Sequence, residues 1–168
     1  MSVLKPRRLS RAAQKELRRA QLIEATIREI AETGLADTTV ASVAARAGLS
    51  RGMVNVHFNS KDSLLSETLQ HLSREYRDCW QQAYDTAPTA PAARLIALFR
   101  ADFDSRICQR HKIAVWYAFW GEARSRPVYR ELCGTRDDDR NRHTLALCRQ
   151  LTLEGGYDHD AAQAASGL

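Results

Sequence analysis

The sequence predicts an all-α protein in two parts: an N-terminal head of three helices arranged as a helix-turn-helix, and a second helical domain behind it. Three observations carry this. Between Thr38 and Lys61 the apolar residues mark two short helices around a glycine turn. From Lys61 to Ala87 a single stripe, Leu65, Leu69, Leu72, Tyr76, Trp80 and Ala83, keeps helical spacing throughout. The charge is also split: residues 1–62 hold 11 Lys+Arg against 6 Asp+Glu, whereas 63–168 hold 14 of each. The expected division is 1–60 and 61–168.

The first ten residues carry Lys5, Arg7 and Arg8 beside Pro6 without apolar periodicity, and read as a basic arm, solvated or DNA-contacting. A first helix is expected from Arg11 to Thr33, burying Ile23, Ile27, Ile30 and Ala31 and stopping at Gly34. Arg11, Lys15, Arg18 and Arg19 crowd its N-terminal half, where the helix dipole favours acids, so a nearby polyanion or a plain solvated basic face must account for them. Leu35 packs under the following turn. Thr39 is placed to cap the next helix, whose Val40, Val43, Ala44 and Ala47 fall on one face. Ala44 is small where two helices would cross. Gly48 supplies the positive φ of the turn, Leu49 plugs it, and Ser50 caps a second short helix that turns Val54 and Phe58 inward.

The run Asn59-Ser60-Lys61-Asp62 caps a long helix to Ala87, stopped by Pro88 and Pro91. At 1.5 Å per residue, about 27 residues span about 40 Å, enough for a lever between two domains. Further helices are expected at Ala92–Cys108, Lys112–Gly121, Arg126–Cys133, Asp137–Leu151 and from Asp158 onward. Asp137, Asp138 and Asp139 read as first-turn acids complementing a helix dipole, with Arg136, Arg140 and Arg142 neutralising them, rather than as a metal site. Gly155-Gly156 is a helix stop; no strand precedes it, so it is no phosphate loop.

Composition limits the function classes. With 168 residues, 44% hydrophobic and 27% charged, the chain is an ordinary globular protein with no run approaching a membrane span and no signal-peptide core, so the expected compartment is the cytoplasm. Cys79, Cys108, Cys133 and Cys148 lack metal-ligand spacing and read as free thiols. His57, His71, His111, His143 and His159 are scattered without HExxH, and no nucleophile–base or P-loop pattern is present, so no cofactor, metal or catalytic residue is expected.

A helix, a glycine turn and a helix equally fit ordinary core architecture. The formal net charge of +5, all of it on the part holding the motif, favours a surface that meets phosphates. The second short helix then enters a DNA major groove. Ser50, Arg51, Gly52, Asn55 and His57 are the candidates on its outward side. Arg51 suits a guanine edge, Asn55 or His57 a base or phosphate, and Gly52 close backbone approach. Lys61 is a candidate phosphate contact.

Thr38–Leu65, with its Thr-Thr entry, AxxAG, a short helix ending in HF and then SKDSLL, resembles the DNA-binding segment of TetR-family repressors. The likeness reaches upstream over RRAQLIEATIREIAETGLADTT and covers residues 15–70. It implies that Thr39 touches a phosphate, and that the partner is double-stranded operator DNA bound by a homodimer. Asn55 departs from the family's usual tyrosine, which removes that phosphate contact.

In 113-IAVWYAFWGE-122, Trp116, Phe119 and Trp120 share helical spacing; Trp80 and Phe103 are candidates to reach the same space. Such a stripe reads either as core or as an aromatic wall for a quaternary ammonium. Asp102, Asp104 and Glu122 are unranked candidates for a longer-range carboxylate. The run AVWYAFWGEARSRPVYRELC is similar to the ligand domain of the BetI branch of the family, the choline-responsive repressors of glycine-betaine synthesis; this likeness covers residues 92–168. It implies a small-molecule effector, choline or a related quaternary ammonium, and makes residues 61–168 the effector and dimerisation domain. The family's final helix is longer than DHDAAQAASGL, so the sequence is either truncated or departs there, which bears on the dimer interface. The rival readings are a helical protein-interaction adaptor without a DNA role and a thiol- or histidine-dependent helical enzyme.

Overall fold

The computed structural model describes residues 10–158 and 160–166, with the side chains of 133–137 outside the description. The basic arm at Lys5, Arg7 and Arg8, the Cys133 thiol, Asp137 and His159 therefore lie outside the described residues. Among those described, every regular element is a helix. The chain forms two compact units, Met1–Thr68 and Leu69–Leu168.

In the first unit, α1 (Arg11–Asp37) is capped by Ser10, whose hydroxyl accepts the Ala13 N–H at 3.1 Å. Leu22, Ile23, Ala25, Ile27 and Ile30 form its buried face. Gly34, at φ 85° and ψ 168°, breaks the helical path, and Thr38 closes the end by donating its hydroxyl to the Gly34 carbonyl at 2.7 Å. The turn then leads into α2 (Val40–Ala47). Thr39 caps α2 as expected, and Ser42 completes a reciprocal pair: the Thr39 hydroxyl accepts the Ser42 N–H, and Ser42 Oγ accepts the Thr39 N–H, both at 3.0 Å. Val43, Ala44 and Ala47 are buried, and α2 packs on α1 and on α3 (Arg51–His57). Gly48 sits at φ 65° in the left-handed region. Ser50 caps α3 through the Met53 N–H at 3.2 Å, and Val54 and Phe58 are buried.

α4 (Lys61–Thr86) runs through the division between the units. Its expected stripe is buried at Leu65, Leu69, Leu72 and Trp80 and partly buried at Tyr76 and Ala83.

In the second unit α5 (Pro91–Asp102) packs on α7 (Pro127–Gly155), as does α6 (Arg110–Ala123), and α8 (Ala161–Ser166) packs on the end of α7. Cys79, Trp80, Leu98, Ala101 and Leu147 form one buried cluster, and Phe119 meets Tyr129 edge-on at 5.0 Å in another contact. Lys112 is buried with its ammonium on both Glu75 oxygens at 2.6 Å and on the Arg106 carbonyl at 2.7 Å, which ties the start of α6 to α4.

Three expected elements differ. The helix expected over Ala92–Cys108 ends at Asp102, because the Asp104 carboxylate accepts the Arg106 N–H at 2.8 Å and its guanidinium at 2.9 Å, and this local ring competes with helix. The helices expected over Arg126–Cys133 and Asp137–Leu151 are one: α7 continues through Gly134, since one glycine costs a helix interior only about 1 kcal/mol. Asp138 and Asp139 consequently lie inside a helix rather than in a first turn, and Asp139 pairs with Arg142 one turn on.

Candidate functional site

The first candidate surface is the face of α3. At about 100° per residue, Gly52 and Val56 point about 160° away from the buried Val54, Met53 and Asn55 about 100°, and Arg51 and His57 only about 60°. The expected outward set is thus partly corrected. Gly52 is on the outer stripe and Asn55 on its flank, both exposed. Arg51 sits on the shoulder yet is exposed, with no hydrogen bond or ion pair among the described residues. Ser50 is exposed with its hydroxyl engaged in the cap.

His57 is half-buried, its Nδ1 has no partner among the described residues, and its carbonyl accepts from Arg19 at 3.1 Å. Burial, reinforced by the nearby charges of Lys15 and Arg19, holds its imidazole below the ordinary histidine value, so it is neutral at pH 7.

The basic residues around α3 divide into structural and open ones. Arg19 lies over the Phe58 ring at 4.8 Å and pairs with Glu67, so it anchors the end of α3. Arg46 bridges Glu29 and Glu32 at 2.6 Å each; its hydrogen bond holds the Glu32 carboxyl below the usual range. Lys61 donates to the carbonyls of Leu35 and Ala36, both at 3.2 Å, which satisfies the end of α1 and leaves one of its three N–H donors for another acceptor. Thr39 is exposed with its hydroxyl in the α2 cap. Arg11 and Lys15 are exposed along α1.

The second candidate surface is a cavity of about 360 Å³ in the second unit, lined by Tyr76, Asp102, Ile107, Ile113, Trp116, Tyr117 and Trp120. Its main wall is one face of α6, Ile113, Trp116, Tyr117 and Trp120, spaced i, i+3, i+4 and i+7. The opposite face, Lys112, Val115 and Phe119, is buried. The Trp116 and Trp120 ring centroids lie 6.0 Å apart, and Tyr117 meets Trp120 edge-on at 5.5 Å. Across from them Asp102 accepts the Tyr76 hydroxyl at 2.9 Å with one oxygen and the Arg140 guanidinium at 2.6 Å with the other. One carboxylate therefore joins α4, α5 and α7 at the cavity wall.

Of the five aromatic candidates, the structure brings Trp116 and Trp120 to this cavity. Phe119 points into the core against Tyr129, because it lies on the opposite face of α6. Trp80 is core, tilted against His143 at 5.3 Å. Phe103 caps α5 and is 77% exposed. Among the carboxylates only Asp102 lines the cavity. Asp104 is held down to about 2 by Arg106 and borders a wider groove of about 700 Å³ between α4 and α5, which no aromatic side chain among the described residues lines. Glu122 pairs with Ser125 and Arg126. Of the thiols, Cys79 and Cys148 are buried and pushed up by that burial, and Cys108 is exposed; all three are free.

Known proteins resemble the chain over both surfaces. A model of bacterial regulatory proteins of the tetR family matches residues 22–68, and one of the C-terminal part of BetI-type transcriptional repressors matches residues 91–168. The HTH-type transcriptional regulator BetI of Burkholderia mallei is 40% identical over 156 residues, which cover 92% of this chain and 77% of that protein. The chain belongs to the TetR family. It is a transcriptional regulator with a BetI-type C-terminal part, not an enzyme. A Pseudomonas aeruginosa transcriptional regulator shares the TetR-family fold at TM-score 0.79 and 32% identity, over 95% of this chain and 76% of its own. A Saccharomonospora viridis transcriptional regulator, solved in complex with choline, has the same fold at TM-score 0.78 and 24% identity, over 90% of this chain and 79% of its own. No helix among the described residues is long and apolar enough to cross a membrane.

The TetR match contains α2 and α3, and the BetI-type match contains α5 and α6. Tyr76 falls in neither. The Asp102 connections link residues 26 and 38 positions apart, so no local pattern announces them. Tyr117 and Ile113, by contrast, were within reach of a spacing argument that takes Trp116 and Trp120 as the reference face.

Proposed function

We propose that the chain is a repressor that binds operator DNA as a two-fold dimer through α3, and that the α6 cavity takes its effector, choline or a related quaternary ammonium. One short helix covers too few base pairs for useful specificity, so two heads on a near-palindrome are the expected arrangement. Arg51 and Asn55 read base edges; Thr39, Ser50 and Lys61 set register on phosphates, and His57 takes a phosphate rather than a base. The α7 and α8 helices, with Leu153 and Tyr157 exposed near their junction, supply the dimer surface.

The observation that carries the effector assignment is the aromatic wall facing Asp102. A trimethylammonium group has no N–H to donate, so ring faces suit it better than they suit a primary amine, which gives up strong hydration. Asp102 is already paired with Arg140, which leaves the rings to supply most of the attraction. At about 2 kcal/mol for each ring that the bound cation desolvates, three rings give about 6 kcal/mol, a Kd on the order of 40 μM. The effector must bind one arrangement of the dimer better than the other to change DNA affinity.

Tryptophan emission is the direct readout. Choline perturbs it and ethanolamine does so far more weakly; Trp116→Ala and Trp120→Ala remove the response and keep DNA binding. Unchanged emission and unchanged operator affinity up to about millimolar choline, far above the expected Kd, overturn the choline assignment. Binding curves at two salt concentrations test the DNA reading separately: a protein-interaction adaptor is indifferent to DNA at both.

A further inference from the structure

We infer that Val56 is a specificity-determining residue that reads the C5-methyl group of a thymine in the major groove, with Gly52 as the gap that lets it reach. This rests on the proposed entry of α3 into DNA.

Val54 fixes which way α3 faces, because it is buried. Gly52 and Val56, two residues to either side of it, are the two positions farthest from the core and one turn apart on the same outer stripe. Val56 is 71% exposed. Flanking that stripe are Asn55, which is polar, and Met53, which is apolar but only 37% exposed; the cationic chain of Arg51 lies farther round toward the core. The apex of the surface that meets the groove floor is therefore apolar and short.

Valine reaches only two bonds beyond its Cα, so its methyls touch a base edge only if the helix backbone comes close. Gly52 provides that approach. A Cβ built there would meet only Ser50 Oγ, at 3.8 Å, so nothing inside the protein requires the glycine. Its φ is also not in the left-handed region. A glycine inside a helix costs about 1 kcal/mol relative to alanine. What the absent side chain frees is the space outside the helix, directly beside Val56.

The apolar target in the major groove is the thymine methyl group; the other base-pair edges present hydrogen-bonding groups that valine cannot satisfy. Covering N4 of cytosine or O6 of guanine with valine leaves a desolvated polar group unpaired. The contact thus selects for thymine and against G·C at one position in each half-site.

The test uses the full chain. A cognate duplex is selected from a random library, and each thymine is replaced singly by uracil, which removes only the methyl. At one thymine per half-site the affinity falls about fourfold, the equivalent of one methyl group leaving an apolar contact. Replacing both symmetry-related thymines lowers it about fifteenfold. Val56→Ala binds the thymine duplex correspondingly more weakly and no longer distinguishes thymine from uracil. Val56 is exposed and alanine favours helix, so this variant folds; retained binding to random DNA at low salt checks it. A selected duplex at which no thymine is sensitive overturns the inference and leaves the DNA reading intact. So does a Val56→Ala variant that keeps the full thymine-to-uracil difference. Failure of the wild-type chain to bind any duplex overturns both.

Discussion

Replacing Asp102 by alanine will test whether the carboxylate at the cavity wall is a structural clasp. Its oxygens hold the Tyr76 hydroxyl of α4 at 2.9 Å and the Arg140 guanidinium of α7 at 2.6 Å. The Arg140 side chain is only 10% exposed and that of Asp102 30%. Breaking a buried ion pair from one side costs about 3–5 kcal/mol, since the remaining charge stays in low dielectric without a partner. The partial exposure of Asp102 admits water and brings the expected loss down to about 2–4 kcal/mol. Asp102→Asn keeps an acceptor for Tyr76 and loses only the charge, so it falls between wild type and Asp102→Ala.

Equilibrium urea denaturation, with the midpoint and slope analysed together, gives these differences. The decisive comparison is the double variant Asp102→Leu/Arg140→Met. Replacing both partners with apolar groups removes the stranded charge and recovers most of the stability. Asp102→Ala within about 0.5 kcal/mol of wild type, the range of ordinary surface changes, refutes the clasp. A double variant no better than the single one refutes the charge-stranding explanation.

Three further outcomes follow from the same geometry. Phe119→Ala costs about 3–5 kcal/mol in urea denaturation, as a fully buried ring does, whereas Trp120→Ala, half exposed, costs far less and acts on ligand response. Arg51→Ala weakens the cognate site by about 1–3 kcal/mol and random DNA much less, and Lys61→Ala weakens both alike and shallows the salt dependence; equal losses for Arg51→Ala on both duplexes remove it from base reading. Stability falls as pH drops below the ordinary histidine value of about 6.5, because the unfolded chain takes up a proton that half-buried His57 refuses, and the decline ends at its lowered folded value. His57→Gln flattens this segment of the denaturation profile; an unchanged slope in the variant assigns it to other groups.

The head was the most legible part of the chain. Thr39, Gly48, Ser50 and the Val43–Ala44–Ala47 face act within a few residues of themselves, and capping and left-handed turns are local chemistry. The reciprocal role of Ser42 follows the same rule and was open to the same reading. The outward set on α3 was less legible, because a seven-residue helix has too few turns to display a stripe and its facing depends on which residue the neighbouring helices bury.

The distal half separates the two kinds of information. Apolar spacing, glycine and proline positions determined by themselves that the chain is all helix, where the long α4 begins and that an aromatic face lies near residue 116. Two helices were read where α7 runs unbroken, since a glycine weakens a helix without ending one and only the packing of α7 against α5 and α6 outweighs that cost. Which aromatic faces a cavity and which the core was decided by tertiary structure: Phe119 differs from Trp120 by one position, and about 100° of helix rotation sends one to Tyr129 and the other to the cavity. The Tyr76–Asp102–Arg140 connection exists only because α4, α5 and α7 meet, and a carboxylate shared among three helices leaves no periodic trace in the chain that encodes it.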